Sequence, residues 1–572
     1  MIRLTINNQP IIADENKTIL TIAKENNIHI PTLCHYSDLG IHSECRVCVV
    51  EIDGQKGLST ACSTFPKDGM VIKTNSPRVI NSRKNTVELL LSNHDASCTT
   101  CVRNMHCELQ TLANKLGIEE KRFESVLDIK ELDLSTPSIV RNPNRCIKCG
   151  RCVEVCRSVQ GMSVLDFHGR GQDMSVGPAY HHLLADVFCT YCGQCANVCP
   201  VGAIMEKDNT DDVWEAIHDT NKHVIVQIAP AIRVSLGEEL GLAVGDIVTG
   251  QMVTALKLIG FDQVFDTNFT ADLTILEEGN ELLSRIQNGG TLPMITSCCP
   301  AWINFLEHRY PEVISNVSTC KSPQQMFGAL AKSYYASKNH LDPKNIFVVS
   351  VMPCTAKKFE ATRPEMSVNH EDPDVDISLT TRELGKMIRQ MGIDFTHLES
   401  SEFDGPFGET TGAAALFGAT GGVMEAALRT VVEVLTKKSL DNLDFIPVRG
   451  MDGFKEATLD LNGQSLKVAV VHTLSNAKII CEQIKNGTSP YLFVEVMACP
   501  GGCVGGGGQP YGSTREQVGK RLKAIYQVDR DLAVRKSHEN PSIVKLYDDY
   551  LKTPLGHLSH ELLHTHYHDK RS

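Results

Sequence analysis

No apolar run in this chain of 572 residues approaches the length needed to cross a bilayer. Its opening, MIRLTINNQPIIADENKTIL, lacks the basic, apolar and small-residue order of an export signal. A cytoplasmic protein with no membrane segment is therefore expected. Positive charge is scarce as well: 56 Lys and Arg against 68 Asp and Glu give a formal net charge of −12. That balance argues against nucleic-acid binding, which depends on basic patches. It leaves room for a local basic patch that receives an acidic protein partner. The composition, 42% hydrophobic and 22% charged, is ordinary for a globular protein, and the length is too great for one core. Several domains are expected.

Cysteine is what the chain has in excess, 22 in all. In a reducing compartment disulfides are disfavoured, and metal or redox chemistry becomes the leading explanation. Fifteen precede residue 200 in dense groups, whereas Cys298, Cys299, Cys320, Cys354, Cys481, Cys499 and Cys503 are dispersed. The shift near residue 208 marks the strongest boundary, and STPSIVRNPNR at 135–145 reads as a linker. The N-terminus reads as two short strands around a turn at 7–10, then a helix from about Thr18. After residue 209, apolar β-branched runs at 224–230, 345–354, 467–473 and 492–499 suit buried parallel strands. Helical patterns such as GQMVTALKLIGF and GGVMEAALRTVVEVLTKK lie between strands, which predicts an α/β region.

The clearest motif is duplicated. Cys146, Cys149, Cys152 and Cys156 follow C-x2-C-x2-C-x3-C, and Cys189, Cys192, Cys195 and Cys199 repeat it, with Pro200 after the last. In the two-cluster bacterial ferredoxin arrangement each fourth cysteine serves the other cluster. One 4Fe–4S cluster is therefore expected on Cys146, Cys149, Cys152 and Cys199, and its twin on Cys189, Cys192, Cys195 and Cys156. Structural zinc is the competing reading, but it rarely uses this double spacing. Cys156 is followed by Arg157 rather than proline, a minor departure.

Cys34, Cys45, Cys48 and Cys62 approximate a plant-type 2Fe–2S pattern with a longer first gap. Zinc is the alternative there too. Between the two modules lie His94, Cys98, Cys101 and Cys107. Alone, one histidine with three cysteines suits zinc as well as iron; its place between two redox modules favours a 4Fe–4S cluster with a histidine ligand. The same order of modules opens the large electron-transfer subunit of respiratory NADH dehydrogenases, so the first 208 residues by themselves read as an electron wire.

Three later segments change that reading: TSCCPAW (296–302), MPCTAKKFE (352–360) and MACPGGCVGGGGQP (497–510). Each sits at or just beyond an expected strand, where α/β folds place ligands. Together they resemble the three signature segments of the FeFe-hydrogenases, and the whole chain resembles the monomeric clostridial type. The resemblance implies that Cys299, Cys354, Cys499 and Cys503 hold the 4Fe–4S part of an H-cluster, with Cys503 bridging to its diiron unit. That unit carries carbonyl, cyanide and azadithiolate ligands and is installed by maturation proteins. Lys357 is then a cation for a cyanide ligand. Pro230, Ala231, Pro323, Gln324, Met352, Phe417 and Met497 match the surrounding pocket; Ala231 stands where some relatives carry a serine. Gly505 to Gly508 would let the backbone approach the cofactor closely.

The resemblance also gives Cys298 the role of proton donor, against the competing reading of an inert buried thiol. Cys320 and Cys481 receive the inert reading. Glu278, Glu281 and Arg285 stand at i, i+3 and i+7 on one helix face, and with Ser318 they match the family's proton relay. The alternative is a solvated face with a Glu281–Arg285 ion pair. Glu277, about 100° around the helix, is expected to be a silent control. His560 and His564 in the histidine-rich tail are expected to be structural.

The implied architecture is multidomain α+β. It comprises an N-terminal 2Fe–2S ferredoxin-like (β-grasp) domain (1–78), a small His/Cys3 4Fe–4S domain (79–126), a bacterial two-cluster ferredoxin-like domain (137–208) and a large α/β catalytic domain (209–572). The last is expected to have two lobes with sheets flanked by helices. The implied activity is reversible formation of H₂ from protons and electrons, with ferredoxin or flavodoxin as electron partner. An electron-transfer subunit of a larger complex, a relative in cytosolic iron–sulfur assembly and a hydrogen sensor are the alternatives; no sensory domain such as PAS is apparent.

Overall fold

The computed structural model describes all residues except 126–127, 369–370, 441, 462–463 and 572, so the expected domain ends at Val126 and Ser572 lie outside the described residues. The chain opens on a hairpin, Ile2–Ile6 with Gln9–Ala13, whose Ile2, Leu4 and Ile6 point into a small core. Asn7 and Asn8 both take positive φ (48° and 66°), the tight turn whose twist matches the strands it joins. The Thr18 hydroxyl caps the helix Ile19–Glu25. Strands Met70–Lys73, Val49–Ile52 and Leu58–Thr60 complete a five-stranded sheet, with Met70–Lys73 parallel to Ile2–Ile6.

The duplicated cysteine motif is duplicated in backbone. Lys148 and Gly150 take φ of 55° and 78°, and Tyr191 and Gly193 take 57° and 71° at the equivalent positions. These left-handed residues coil each loop so that its thiols face one point. Strand Ile139–Arg141 before the first loop pairs antiparallel with Ile204–Glu206 after the second. That pairing brings Cys199 back beside the first loop.

After residue 209 the described residues form two four-stranded sheets. Gln263–Asp266, His223–Ile228, Ile346–Met352 and Ile377–Thr380 are all parallel, with apolar cores on both faces. In the second, Met294–Ile295, Phe493–Met497 and Gln464–His472 run parallel, and Phe454–Leu461 is an antiparallel edge. A hairpin return needs no crossover, so an antiparallel edge strand on a parallel sheet is common. Cys298, Cys299, Cys354 and Cys499 all follow the carboxyl ends of these strands. No described helix is long and apolar enough to cross a membrane.

Candidate metal centre

The two sets of four thiols expected from the duplicated motif meet in separate cavities. One of about 460 Å³ is lined by Cys146, Cys149, Cys152 and Cys199. Its twin, about 470 Å³, is lined by Cys156, Cys189, Cys192 and Cys195. Farther out, Cys34 hydrogen-bonds to Cys45 and Cys48 to Cys62. Two touching pairs suit two thiolates on each of two irons. His94 is buried; its Nδ1 has no hydrogen-bond partner among the described residues, and burial holds the ring at a pKa of about 4, neutral and free to ligate. Cys107 begins the helix Glu108–Lys115 just beyond it.

The third cavity lies in the catalytic region and is larger, about 700 Å³. Cys299, Cys354, Cys499 and Cys503 line it together with Cys298 and Lys357. Burial pushes all five thiols above their usual range, and at Cys298, Cys354, Cys499 and Cys503 neighbouring thiols push further. Burial alone pushes Cys298 well above the usual thiol range, so this thiol keeps its proton. The four ligand thiols become thiolates only beside compensating positive charge, which iron provides. This donor set fits an iron–sulfur centre.

Lys357 Nζ is held by the Glu360 carboxylate at 2.8 Å and the Cys298 carbonyl at 3.2 Å. Burial lowers its pKa, but Glu360 more than offsets this, and the ammonium stays charged at the cavity wall. Pro230, Pro323, Gln324, Met352, Phe417 and Met497 line the same cavity. Ala231 does not: it is fully buried beside Leu416 and Val504, while its neighbours Ala229 and Pro230 face the cavity. Thr267, Ala229 and Ala498 also line it and had no sequence signal, being short side chains delivered by strand ends.

The glycine run also packs protein loops against one another. A Cβ on Gly505 would lie 2.0 Å from the Pro500 carbonyl, one on Gly506 2.0 Å from that of Pro353, and one on Gly507 2.2 Å from that of Cys192. These glycines press protein loops together, and only Gly506 of the run lines the cavity. The loop of Cys192 thereby lies against the loop of Cys503. Gln194 Nε2 donates to the Gly505 carbonyl at 2.9 Å, and Thr355 Oγ1 to that of Tyr191 at 2.7 Å. Arg382 pairs with Glu206 and donates to the Gly507 carbonyl, clamping the same junction.

Glu278 and Glu281 lie on the buried face of helix Asn268–Asn288, with Arg285 half-buried one turn on. Ser318 Oγ donates to Glu281 Oε2 at 2.9 Å, and the Arg285 guanidinium pairs with Glu281 Oε1 at 2.6 Å. The ion pair exists, but on a buried rather than a solvated face. Glu278 is 2% exposed, and its Oε1 has no hydrogen-bond partner among the described residues. Burial and the Glu281 charge push its pKa up to about 8.

Glu277 is not the detached control that its helix position suggests. It is fully buried and accepts from Tyr547 OH at 2.5 Å and from the Leu555 N–H at 2.9 Å, with His564 Nε2 at 3.2 Å. Nor is the histidine tail without acidic or cysteine neighbours: donor atoms of Glu281, Cys320 and His564 all lie within 4.8 Å of one another. Neither fact could be read from spacing, because the tail packs on this helix across almost three hundred residues of chain. Cys481 sits in an apolar core.

Residues 222–507 match the iron-only hydrogenase large subunit, C-terminal domain, and 515–570 the iron hydrogenase small subunit. Residues 1–77 match a 2Fe-2S iron-sulfur cluster binding domain, and 83–122 the NADH-ubiquinone oxidoreductase-G iron-sulfur binding region. Residues 136–205 match the ferredoxin-like domain of NADH-quinone oxidoreductase subunit 3. The chain is 48% identical to the NADP-reducing hydrogenase subunit HndD of Solidesulfovibrio fructosivorans, over 99% of each chain. It is 42% identical to iron hydrogenase 1 of Clostridium pasteurianum, again over 99% of each. An apo variant of the FeFe-hydrogenase HydA1 from Chlamydomonas reinhardtii is similar in structure, with 44% identity and a TM-score of 0.57, covering 64% of this chain and 99% of that one.

Proposed function

The chain belongs to the iron-only hydrogenase family, and we propose that it catalyses 2 H⁺ + 2 e⁻ ⇌ H₂ at an H-cluster held at the strand ends, fed by accessory iron–sulfur clusters. The observation that carries this reading is the one cavity in which four buried thiols meet Cys298 and a buried ammonium. When bound, the H-cluster would supply redox-active irons for the electrons and a basic amine for a proton. Cys299, Cys354, Cys499 and Cys503, which line the cavity together, would hold it. Lys357, held in place by Glu360, presents N–H donors to anionic ligands in the cavity. Cys298 keeps a proton at the cavity wall and hands it inward. Glu278, Ser318 and Glu281 return one to it from the protein side, and Arg285 holds the Glu281 carboxylate in position.

The accessory clusters form the electron route. The tight seam between the loops of Cys192 and Cys503 supports transfer from the Cys189 cluster into the catalytic cavity. Ferredoxin or flavodoxin is the electron partner on this reading, and maturation proteins supply the diiron unit. The similarity to a subunit of an NADP-reducing hydrogenase favours a second reading of the partner alone, in which another subunit exchanges the electrons. Turnover of the isolated chain with reduced ferredoxin, compared with NADPH, separates the two.

An infrared spectrum of the matured chain tests the central reading. Carbonyl and cyanide bands are expected, and their absence from an active preparation would refute it. One 2Fe–2S, three 4Fe–4S and a six-iron H-cluster amount to about 20 iron atoms per chain. A content near about 16 with stoichiometric zinc would mean that His94, Cys98, Cys101 and Cys107 hold zinc.

A further inference from the structure

Arg285 is a poor terminus for a proton relay. A guanidinium is charged at every accessible pH and has no acceptor, so it cannot take a proton from Glu281 and pass it on. Its N–H groups are also committed, to Glu281 and to the carbonyls of Thr291, Ser315, Asn316 and Val317. A proton that reaches Glu281 from solvent therefore needs another titratable group nearby.

Thr319 leads to one. Its N–H and hydroxyl approach Glu281 Oε2 at 3.0 and 3.2 Å, and the same hydroxyl lies 2.8 Å from His564 Nδ1. The other ring nitrogen faces the Glu277 carboxylate at 3.2 Å. Burial raises the Glu277 pKa, but hydrogen bonds from His564, Tyr547 and the Leu555 N–H outweigh it and keep the carboxylate ionised. An ionised Glu277 requires a donor at Nε2, so a neutral His564 turns its Nδ1 lone pair toward the Thr319 hydroxyl. The arrangement is carboxylate, imidazole, hydroxyl, with the tautomer set by the carboxylate. One turn earlier on the helix His557–Leu563, His560 is exposed, with its ring centroid 4.5 Å from that of His564. Backbone bonds from Lys321 N–H to the Leu563 carbonyl and from Thr565 N–H to the Thr319 carbonyl fix the tail in this register.

On the reading that Glu281 carries protons, we propose that Thr319 and His564 are the outer part of the relay, that His560 is its contact with solvent, and that Glu277 is a positioning residue holding the His564 tautomer. Inward, an imidazolium at His564 gives its Nδ1 proton to Thr319 Oγ as the threonine's own proton passes to Glu281 Oε2. One N–H and one O–H bond break, two O–H bonds form, and no electrons move. The histidine tail, unexplained by the catalytic cavity, thus becomes part of the proton route.

The test uses the full matured chain. His564→Gln keeps a hydrogen-bonding side chain but removes the titratable ring. Turnover is expected to fall by about 10²-fold, with carbonyl and cyanide bands unchanged and activity partly restored by added imidazole. Thr319→Val should behave likewise and Thr319→Ser should recover. In Glu277→Gln the tautomer is no longer enforced, so turnover falls less and the solvent isotope effect rises. Exchange of the Glu281 carboxyl infrared band in D₂O should slow in His564→Gln, a readout independent of turnover. Near-normal turnover and exchange in His564→Gln would overturn the proposal, as would a loss accompanied by weakened cyanide bands and no rescue by imidazole or Thr319→Ser. If Glu281→Gln itself stays fast, the underlying relay fails; if Glu281→Gln is slow and His564→Gln is not, only this outlet fails.

Discussion

At each of the two cavities of the duplicated cysteine motif, three thiols come from one short loop and the fourth crosses from the twin motif. At the catalytic cavity the four thiols come from the ends of three strands in two sheets, more than two hundred residues apart in the chain. The first arrangement is written by local backbone: the same left-handed positions recur in both loops, and one strand pairing closes the pair. The second exists only once two parallel sheets have formed. Its advantage is chemical variety. Strand ends deliver a free thiol, a buried ammonium and apolar side chains to one space, whereas the local loops deliver little besides sulfur and backbone N–H groups. An electron wire needs only the latter; proton chemistry needs the former.

The largest expected effect falls on the catalytic cavity, where neighbouring residues have opposite fates. Cys299→Ser should abolish turnover by preventing assembly of the cofactor, because a thiolate ligand is lost. Cys298→Ser should leave iron content and the carbonyl and cyanide bands intact while turnover falls by about 10²–10⁴-fold, the range for loss of a positioned acid. Glu278→Gln and Glu281→Gln should resemble it. Turnover and infrared spectra on the same samples decide this, and normal turnover with a full cluster in Cys298→Ser would remove Cys298 from the relay.

Deleting residues 1–208 tests whether the wire can be separated from the chemistry. Turnover with ferredoxin should drop sharply, and some should survive with a small artificial reductant. The HydA1 structure is matched over 99% of its length by 64% of this chain. The survivor should still be impaired, because the deletion uncovers Gly505 and Gly507, which pack on the loop of Cys192. Equal loss with both donors would show that the two regions fold as one.

The smallest effect is a pH slope. Burial and the Glu281 charge raise Glu278 from 4.5 to about 8, so between these values the folded chain holds a proton that the unfolded chain has released. Stability should therefore fall as pH rises through that window, and turnover relying on protonated Glu278 should decline above about 8. Glu278→Gln should flatten the stability slope, checked by thermal midpoints across pH. An unchanged slope would mean that Glu278 is ionised in the folded protein.

The duplicated cysteine motif, the opening hairpin and its Thr18-capped helix, the strands at 346–352 and 493–497, and the Glu278, Glu281, Arg285 helix face were all legible from residue order. Each is specified within a few turns of chain, by thiol spacing, apolar periodicity or a capping hydroxyl. The burial of Glu277 against Tyr547 and Leu555, the packing of the glycine run on Cys192 and Pro353, the turning of Ala231 away from the cavity and the meeting of His564 with Thr319 were not. They depend on which surfaces the two sheets and the closing tail bring together. No local pattern encodes such contacts, because they arise from packing between segments far apart in sequence.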